Sequence, residues 1–493
     1  MYPFNCAKYD IIIILYFPVF FKSFFKNRHI FIFLFTNPYF YDRIIATDPR
    51  KEGKFMDKKT VRITTLGCKV NQYESEAIAE ALDSRGFEVL KGSEICDAYI
   101  INTCTVTAES DRKARQMIRR MITRNPDAFI LVTGCYSQVS PDAVAAIEGV
   151  DYVCGNSNKM SVVDKLCSLI EQGKPSSAEI CVPMLEGAKF ECMSITKFDR
   201  TRAYVKIEDG CESKCTYCTI PAARGQIRSK PFDNVIAEVK ELIAGGCAEV
   251  VLTGIETGSY GADLDEGQDL ASLLCEIDKL DGIGRVRLGS LDPTVIKADF
   301  VEKIKDLKSL APHFHLSLQS GSDKILASMK RKYNSRQAMQ SIERLKAAIP
   351  DVQITTDIIT GFPGESEDDF NASCDFVRKA EFLMVHAFPY SKRKGTPAAL
   401  MKDQIPEDIK KQRVHVLTEI CREVRSNMLD KIIAEGKPRE VLFESFDGEY
   451  VTGHTKEFIE VKVRSNREMH AEIGLVTISS HNSDICEGVL TEK

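Results

Sequence analysis

The apolar positions between residues 60 and 165 follow two alternating periods. Short apolar runs rich in β-branched residues are typical of buried strands, and stretches with apolar residues three or four apart are typical of amphipathic helices. The pattern predicts strands at 61–66, 98–102, 128–133 and 152–154, and helices at 74–84 and 108–124. This alternation predicts a doubly wound parallel α/β domain over residues 57–165, with ligands at the carboxyl ends of its strands.

The same alternation returns between residues 200 and 430. The intervening segment, 166–199, lacks strong periodicity and is interpreted as a linker. Strands are predicted at 203–207, 249–253, 285–289, 313–318, 352–359 and 383–388. Strands in this number, with helices between them, predict an incomplete (βα)6 barrel whose active site lies at the carboxyl ends of the strands.

The pattern changes again over residues 431–493. Short β runs at 441–444, 450–452, 458–463 and 476–479 are separated by glycine, aspartate and asparagine. Such runs predict a small β-barrel of the kind that often binds nucleic acid.

Residues 1–55 fit neither pattern. Their apolar runs, 11–21 and 30–35, are interrupted by Pro18 and by basic residues, and neither reaches the roughly 20 residues that a membrane-spanning helix needs. We interpret the segment as an upstream extension and expect translation to begin at Met56, with no stable membrane association. A membrane anchor is the alternative, and the intact mass of the native protein distinguishes the two.

Composition narrows the class of protein. The chain of 493 residues has 66 basic and 71 acidic side chains and a net charge of −5, so any surface that binds nucleic acid must be a local basic patch. The 17 cysteines are mostly scattered and form no regular disulfide framework. This distribution favours a reducing cytoplasm, in which thiols bind metals or lie buried.

Three cysteines lie on one short loop after the first strand of the second block. Cys211, Cys215 and Cys218 have CxxxCxxC spacing. Thiolates are the preferred ligands of iron–sulfur clusters, and a cubane normally takes four of them. Three thiolates therefore leave one iron open to another ligand. A structural zinc site and a disulfide loop are the alternatives, although no fourth ligand lies nearby in the sequence.

A second group of cysteines follows the strand ends of the first block. Cys68, Cys104 and Cys135 each come directly after a predicted strand. Because the carboxyl ends of parallel strands meet at one edge of a sheet, the three thiolates are expected to converge on a second cluster. The alternative is that they are buried cysteines acting as small apolar residues.

These motifs and their order resemble those of the radical S-adenosylmethionine (SAM) methylthiotransferases. The resemblance runs from about residue 60 to the carboxyl terminus. It rests on GCKVNQYE (67–74), NTCTV (102–106), TGC (133–135), the CxxxCxxC loop, IP (220–221), RG (224–225), RS (228–229), LTGI (252–255), SLQSG (317–321), TDIITGFPGE (356–365) and FPYS (388–391).

The residues after Cys68 are similar to one branch of that family. KVNQYE (69–74) resembles the branch that acts on N6-threonylcarbamoyladenosine in tRNA, whereas the branches for isopentenyladenosine and for a ribosomal-protein aspartate tend to carry Met-Asn and Lys-Asn there. Two positions depart from the pattern. Lys214 stands where an aromatic residue is frequent and Glu256 where histidine is frequent, and we expect neither to touch a predicted iron ligand.

The resemblance implies an enzyme that replaces a C–H bond with a C–S–CH3 group at adenine C2 of position 37, next to the anticodon. Its cofactors would be two [4Fe–4S] clusters and SAM. The cluster on Cys211, Cys215 and Cys218 would bind SAM and cleave it to a 5′-deoxyadenosyl radical, and the cluster on Cys68, Cys104 and Cys135 would carry or deliver sulfur. An electron donor such as flavodoxin or ferredoxin is implied, and the sulfur donor is unknown.

The resemblance also implies contacts to SAM. The adenine would lie near Tyr217 and be flanked by Asp357 and Gly361, the methionine end near Gly254, and the ribose near Ser317 and Gln319. Taken singly, each of these residues has an alternative role in loop packing, a cap or a tight turn.

Binding of tRNA requires a basic surface. The best candidate is the helix at 108–124, with further support from 330–332 and 392–394. Its predicted RNA-binding residues are Arg112, Lys113, Arg115, Arg119, Arg120 and Arg124. A solvated charged face is the alternative. A non-catalytic iron–sulfur protein that binds RNA or transfers electrons is a further alternative, but it would not need the long α/β barrel.

Overall fold

The structure is a computed structural model that describes residues 58–198, 201–265 and 267–491. The interpretation of residues 1–55 as an extension therefore lies outside the described residues. No helix within the described ranges is both long and apolar enough to cross a membrane.

The first block is a parallel sheet with the order β2-β1-β3-β4-β5-β6. Alternate residues of β3 point to opposite faces, so that Tyr99 and Ile101 lie in one apolar core and Ala98 and Ile100 in another. The strands are β1 (Thr60–Thr65), β2 (Glu88–Val89), β3 (Ala98–Thr103), β4 (Phe129–Gly134), β5 (Tyr152–Cys154) and β6 (Glu179–Cys181). The helices are α1 (Lys69–Ser84), α2 (Ala108–Arg124), α3 (Cys135–Val139), α4 (Pro141–Ala145) and α5 (Ser161–Gln172).

Two parts of the first block differ from the sequence-based expectation. Helix α1 begins at Lys69 rather than at residue 74, because Asn71 and Glu74 are buried polar residues that hide the apolar period. The segment interpreted as a linker contains the end of α5 and strand β6, which pairs in parallel with β5. The apolar stripe of α5 starts at Val162 and Val163, so a boundary at 165 cuts it in two.

The second block is a partial barrel made from two parallel sheets, ordered β11-β10-β7 and β12-β13-β14-β15. The chain passes from one sheet to the other between β11 and β12. The long strands are β7 (Arg202–Lys206), β10 (Glu249–Thr253), β11 (Arg285–Leu288), β13 (His313–Gln319), β14 (Gln353–Thr360) and β15 (Met384–Pro389), and the short ones are β8 (Glu208–Asp209), β9 (Arg228–Ser229) and β12 (Ser290–Leu291).

Helices cover the outer surface of the partial barrel. They are α7 (Phe232–Ala244), α8 (Leu270–Asp278), α9 (Ala298–Ile304), α10 (Asp323–Ser328), α11 (Ser335–Ala348) and α12 (Glu367–Ala380). The short helix α6 (Ile220–Arg224) packs instead against α3 of the first block. The outward residues Phe314 and Leu316 of β13 are buried beneath them, while the inward residues His315 and Ser317 keep partial exposure. The inward face of β13 is therefore polar and partly exposed to solvent.

A long helix, α13 (Glu407–Glu435), leads to a closed five-stranded barrel with the order β16-β17-β18-β20-β19. Its strands are β16 (Arg439–Phe446), β17 (Tyr450–Thr455), β18 (Glu460–Arg464), β19 (Ile473–His481) and β20 (Cys486–Leu490). The last strand was not predicted, because Glu487 and Gly488 interrupt its short apolar run. The predicted α/β class, with its parallel amino-terminal sheet, partial barrel and small β-barrel, is confirmed.

Candidate active site

The CxxxCxxC loop follows β8, and each of its sulfurs accepts a hydrogen bond. The backbone N–H of Ser213 donates to Cys211 Sγ at 3.4 Å and that of Ile220 to Cys218 Sγ at 3.4 Å. The guanidinium of Arg331 donates to Cys215 Sγ at 3.3 Å. Hydrogen bonds of this kind stabilise thiolates and tune the clusters that they hold. The loop therefore fits an anionic iron–sulfur cluster.

The three loop cysteines line a cavity of about 330 Å³ at the carboxyl ends of the barrel strands. Four of the residues predicted to contact SAM lie in the same wall: Tyr217, Ser317, Gln319 and Asp357. Apolar side chains complete the lining, among them Ile255, Leu291, Ile359 and Phe388. The cavity thus combines metal-binding thiols, polar groups and an apolar surface that displaces water.

Gly254 and Gly361, the other two predicted SAM contacts, are not among the residues that line this cavity. A Cβ atom on Gly254 would lie 2.6 Å from Oε2 of Glu208, so a side chain there would collide with that carboxylate. Gly361 has a φ of +69° and packs against Lys410. Its N–H donates to Glu365 Oε1 at 2.8 Å, which makes it part of a tight turn after β14.

The carboxylate of Glu208 is buried beside the loop. Oε2 accepts the backbone N–H of Glu256 at 2.8 Å, whereas Oε1 has no hydrogen-bond partner among the described residues. Burial raises the pKa of Glu208 well above its ordinary value. An unpartnered buried oxygen is costly, and the amino group of a bound SAM is the kind of donor that would satisfy it.

The expectation that Glu256 touches no predicted iron ligand is wrong. The Cys211 thiol donates to Glu256 Oε2 at 3.0 Å, and the hydroxyl of Ser213 donates to the same oxygen at 3.3 Å. Burial and, next, the neighbouring carboxylate raise the pKa of Cys211 to about 12. The sequence placed Glu256 on a strand-end loop but could not show which loop lies opposite. Lys214, the other departure from the pattern, is exposed.

Arg331 was assigned to a basic surface run, and the structure places it in the cavity wall instead. Besides Cys215, its guanidinium binds Asp292 Oδ2 at 2.7 Å and the carbonyl of Ser317 at 2.9 Å. It therefore holds the cysteine loop against two barrel strands. No sequence signal separates this arginine from its exposed neighbours, Lys330 and Lys332.

The second cysteine trio lies at the carboxyl edge of the first sheet. Cys68 precedes α1, Cys104 follows β3, and Cys135 begins α3 after β4. A Cβ atom on Gly67 would lie 3.0 Å from Cys104 Sγ, which shows how closely two of these segments approach. The pKa of Cys68 is raised above its ordinary value. Burial is the main cause, the nearby Arg224 partly offsets it, and the neighbouring Cys135 adds to it. Cys68 is accessible to solvent, so it does not belong to the apolar core.

The sulfur spacing bears on the choice between zinc and a cluster. In neither trio do the three Sγ atoms all lie within 4.8 Å of one another, judged over the described residues. A tetrahedral zinc with Zn–S bonds of about 2.3 Å would hold its sulfurs roughly 3.8 Å apart. No disulfide joins the cysteines in the described part of the chain. The sulfur spacing in both trios is therefore wider than one zinc ion requires.

A buried ionic network surrounds Cys135. Arg224 Nε donates to Cys135 Sγ at 3.3 Å, Nη2 donates to Asn71 Oδ1 at 2.6 Å, and Nη1 donates to Glu74 Oε1 at 2.6 Å. Burial raises the pKa of Glu74, but Arg224, Lys159 and Lys206 hold it well below its ordinary range. Four cations, Lys159, Lys206, Arg224 and Arg228, pair with two carboxylates, Glu74 and Asp209. The surplus of positive charge beside Cys135 suits an anionic cluster.

The second trio lies next to the cavity that the first trio lines. Val106 and Thr107, which follow Cys104 by two and three residues, line the same cavity as Cys211, Cys215 and Cys218. Arg224 adds a second connection, because it lies on the helix that follows Cys218 and contacts Cys135. The structure thus brings both sequence-predicted cysteine groups to neighbouring walls.

A polar group with Asp357 at its centre extends from the cavity wall to two histidines. His315, Asp357 and His386 lie on adjacent strands, with their ligand-type atoms within 4.8 Å of one another. Lys69, next to Cys68, interacts electrostatically with Arg287, Arg202 and Glu249. Burial and these arginines lower the pKa of Lys69 to about 8, although its side chain is reached by solvent.

The predicted RNA-binding residues occupy different environments. Lys113, Arg119 and Arg120 are exposed on α2, whereas Arg112 pairs with Glu109 and Arg115 donates to the hydroxyl of Tyr136 at 3.0 Å. Arg124, at the end of α2, donates to the carbonyl of Ser93. In the run 392–394 the middle residue, Arg393, is buried against Asp111 and Thr105, and its two neighbours are exposed.

Comparison with known families gives two matches. The model of the Radical SAM superfamily matches residues 205–377. The model of the Uncharacterized protein family UPF0004 matches residues 60–155. The first match includes the CxxxCxxC loop, and the second includes Cys68, Cys104 and Cys135.

Curated relatives match along most of their length. Threonylcarbamoyladenosine tRNA methylthiotransferase MtaB of Bacillus subtilis (strain 168) is 38% identical over 425 residues, which cover 85% of this chain and 93% of the relative. MtaB of Thermotoga maritima is 42% identical, with 83% and 95% covered. The tRNA-2-methylthio-N(6)-dimethylallyladenosine synthase of Acetivibrio thermocellus is 34% identical, with 85% and 88% covered.

Among solved structures, the radical SAM methyltransferase TsrM from Kitasatospora setae, with tryptophan substrate and a SAM analogue bound, superposes with a TM-score of 0.53. The sequences are 14% identical, and the match covers 74% of this chain and 89% of TsrM. This likeness shows the fold alone. The curated methylthiotransferases, in contrast, match this chain over nearly their entire length. The chain therefore belongs to the radical SAM methylthiotransferase family.

Proposed function

We propose that the protein converts N6-threonylcarbamoyladenosine at position 37 of cytoplasmic tRNA to its 2-methylthio derivative. The observation that carries this proposal is that the segment after Cys104 lines the same cavity as Cys211, Cys215 and Cys218, which brings the second trio beside the first. A thiomethylation needs one site that generates a radical and one that supplies sulfur. The substrate follows from the MtaB relatives, which share 38% and 42% of their aligned residues with this chain.

In this proposal Cys211, Cys215 and Cys218 hold the [4Fe–4S] cluster that binds SAM, and Cys68, Cys104 and Cys135 hold the second cluster. When bound, the cofactors supply a carbon radical and a transferable sulfur, which no protein side chain provides. An electron donor such as flavodoxin or ferredoxin supplies the electron.

The chain's own residues position these groups and exclude water. Arg331 ties Cys215 to Asp292 and Ser317, which fixes the loop relative to the barrel. The free oxygen of Glu208 is proposed to accept a hydrogen bond from the amino group of SAM. Tyr217, Ser317, Gln319 and Asp357 are proposed to contact the remainder of SAM, because they share its cavity. Gly254 and Gly361 act indirectly, by allowing the backbone to pass close to Glu208 and Lys410.

The proposed tRNA surface is the exposed basic face of α2. Its residues Lys113, Arg119 and Arg120 have no ion-pair partner among the described side chains, so they are available to phosphate groups. Phosphate contacts of this kind make affinity depend strongly on salt. Arg112, Arg115 and Arg124 contribute less, because protein partners already engage them.

Cysteine variants test the assignment of the two clusters. Cys215→Ala should abolish cleavage of SAM, whereas Cys104→Ala should keep SAM cleavage and lose thiomethylated product. Each variant should retain about half of the roughly eight irons of the wild type. Cys374→Ala is the matched control, because Cys374 is buried on α12 and belongs to neither trio. Thiomethylated product from Cys104→Ala would contradict the second-cluster assignment.

The substrate is tested by nucleoside analysis of tRNA from a strain that lacks the gene. Loss of 2-methylthio-N6-threonylcarbamoyladenosine is expected, together with accumulation of its unthiolated precursor. An unchanged level in a strain without a second such enzyme would overturn the substrate. Loss of the methylthio derivative of isopentenyladenosine would instead identify the substrate of the dimethylallyladenosine synthases, the other relatives of this chain.

A further inference from the structure

Phe388, near the end of β15, is an exposed aromatic side chain beside the cysteine loop. It lines the same cavity as Cys211, Cys215 and Cys218, and it is 48% exposed. The chain has no tryptophan, and no other phenylalanine or tyrosine within residues 58–198, 201–265 and 267–491 is exposed. The molecule therefore covers its other described aromatic rings at least in part and leaves this one open at the cavity.

The strand that carries Phe388 holds it in a fixed position. Phe388 pairs with Ile359 of β14, which also lines the cavity. Directly after it, the N–H of Tyr390 donates to the carbonyl of Thr360 at 2.8 Å. The ring stacks on that of His386, with centroids 6.4 Å apart and planes 28° from parallel. A ring on such a rigid element loses little conformational freedom when it binds a ligand.

The segment after β15 is fastened to the segment that follows Cys104. Ser391 Oγ accepts the backbone N–H of Ala108 at 3.1 Å, and Arg393 Nη2 donates to Thr105 Oγ1 at 2.8 Å. Between these two contacts lies Val106, which lines the same cavity and is 54% exposed. Each of the two α/β blocks thus contributes one exposed apolar side chain to the cavity.

The surroundings of the cavity favour a nucleobase as the ligand of these two side chains. Val106 leads directly into α2, whose exposed basic face is the proposed tRNA surface, and the exposed Lys392 and Lys394 follow β15. Basic side chains position the phosphate backbone of an RNA. A base that undergoes chemistry must leave its stack to enter an active site, and its apolar faces then stack on aromatic side chains.

We propose that Phe388 is the platform on which the target adenine stacks, with Val106 bordering the same site. This inference rests on the proposed function, which names the nucleotide. Stacking uses the flat face of the base and is therefore independent of the substituent on N6. Phe388 accordingly positions the adenine beside the cysteine loop but does not distinguish a threonylcarbamoyl from an isopentenyl group.

The test measures the binding of two RNA ligands. One is an anticodon stem–loop with N6-threonylcarbamoyladenosine at position 37, and the other is the same RNA with an abasic nucleotide there. Dissociation constants are determined for the wild type, Phe388→Ala, Phe388→Leu and Phe388→Tyr. The proteins carry their clusters but no SAM, so that a contact between the ring and SAM does not enter the result. Val416→Ala, at an exposed apolar position of α13, is the control.

The wild type should bind the RNA that carries the base more tightly than the abasic RNA. Phe388→Ala should reduce this preference roughly 5- to 100-fold, with unchanged affinity for the abasic RNA. Phe388→Leu keeps apolar bulk without an aromatic face and should lose most of the preference, whereas Phe388→Tyr and Val416→Ala should retain it. Because Phe388 is half exposed, its variants should melt near the temperature of the wild type.

An unchanged preference in Phe388→Ala would overturn the inference and leave the proposed function intact. An equal loss of affinity for both RNAs would also count against it, because the ring would then support the protein rather than the base. Full retention of the preference in Phe388→Leu would exclude stacking. If the wild type thiomethylates only an isopentenyladenosine stem–loop, the proposed substrate is wrong, and the same ratio measured with that RNA still decides the role of Phe388.

Discussion

Buried charges hold the candidate site together at the scale of single residues. Arg224 is fully buried and contacts Cys135, Asn71, Glu74 and Asp209. It joins the helix after the CxxxCxxC loop to the sheet that carries the second trio. Removing one partner of such a network leaves buried charge uncompensated, which costs much more than the loss of a surface pair.

Arg224→Met should therefore lower the free energy of unfolding by about 3–5 kcal/mol. It should also reduce the iron retained at the second trio, because Cys135 loses its hydrogen-bond donor. Chemical denaturation and iron analysis measure the two effects. Arg378→Met removes an exposed pair with Asp375 and should change stability by less than about 1 kcal/mol. Similar effects of both variants would contradict the structural role of Arg224.

The lowered pKa of Glu249 makes the stability of the folded protein depend on pH. Burial alone raises the pKa of Glu249, but Arg287, Arg202 and Arg285 lower it from 4.5 to about 2. Because the folded value lies below the unfolded one, the stabilisation is complete above pH 4.5 and is lost as the pH falls towards 2. The difference corresponds to about 3 kcal/mol.

Glu249→Gln should accordingly be less stable than the wild type near neutral pH and should lose less stability on acidification. Urea denaturation near pH 7 and near pH 3 measures both effects. Glu276→Gln, at an exposed pair with Lys279, is the control. If Glu249→Gln and the wild type lose stability in parallel as the pH is lowered, ionised Glu249 is not the source of the pH dependence.

At the scale of elements, the bounds of a helix were predicted correctly where neighbouring residues determine them. Helix α2 has the predicted bounds, because Thr107 caps its first turn, acidic residues follow the cap and Arg124 lies in the last turn. Helix α1 began earlier than predicted, because its first turn is polar and is stabilised by contacts to other elements. Capping acts over a few residues and can be read from sequence, whereas long-range polar contacts cannot.

The exposed face of α2 yields a prediction about tRNA. Reversing Lys113, Arg119 and Arg120 to Glu should weaken tRNA binding at least about tenfold at low salt and make it less dependent on salt, because phosphate contacts are lost. The same reversal at Lys240, Lys297 and Lys308, three exposed lysines on or near other helices, changes net charge equally. Filter binding over a salt series compares them. If both triple variants weaken binding alike, α2 is not the tRNA surface.

At the scale of the whole molecule, the carboxyl-terminal barrel closes the amino-terminal end of the partial barrel. Phe458 stacks on His313 and on His454, each at a centroid distance of 4.7 Å, and Arg287 lies over its ring at 4.9 Å. Arg285 donates to the carbonyl of Glu440 at 2.9 Å. The small barrel therefore contributes to the stability of the catalytic block in addition to any contact with RNA.

Phe458→Ala should lower the free energy of unfolding by about 2–4 kcal/mol, since it leaves a cavity between the two barrels. Differential scanning calorimetry of the apoprotein should show an earlier transition for the entire described unit, not for the small barrel alone. Val489→Ala, at an exposed position of the same barrel, should have little effect. A separate early transition limited to the small barrel would show that the two barrels unfold independently.

The sequence by itself determined the class of the molecule and which cysteines are the candidate cluster ligands. Apolar periods revealed the sheets, and the CxxxCxxC spacing placed three thiols on one loop, because these signals depend on neighbouring residues. Only the tertiary structure decided which distant groups meet. Glu256 beside Cys211, Arg331 beside Cys215 and Arg224 beside Cys135 all join segments far apart in the chain. Their positions follow from how the sheet and the barrel pack, which no local pattern records.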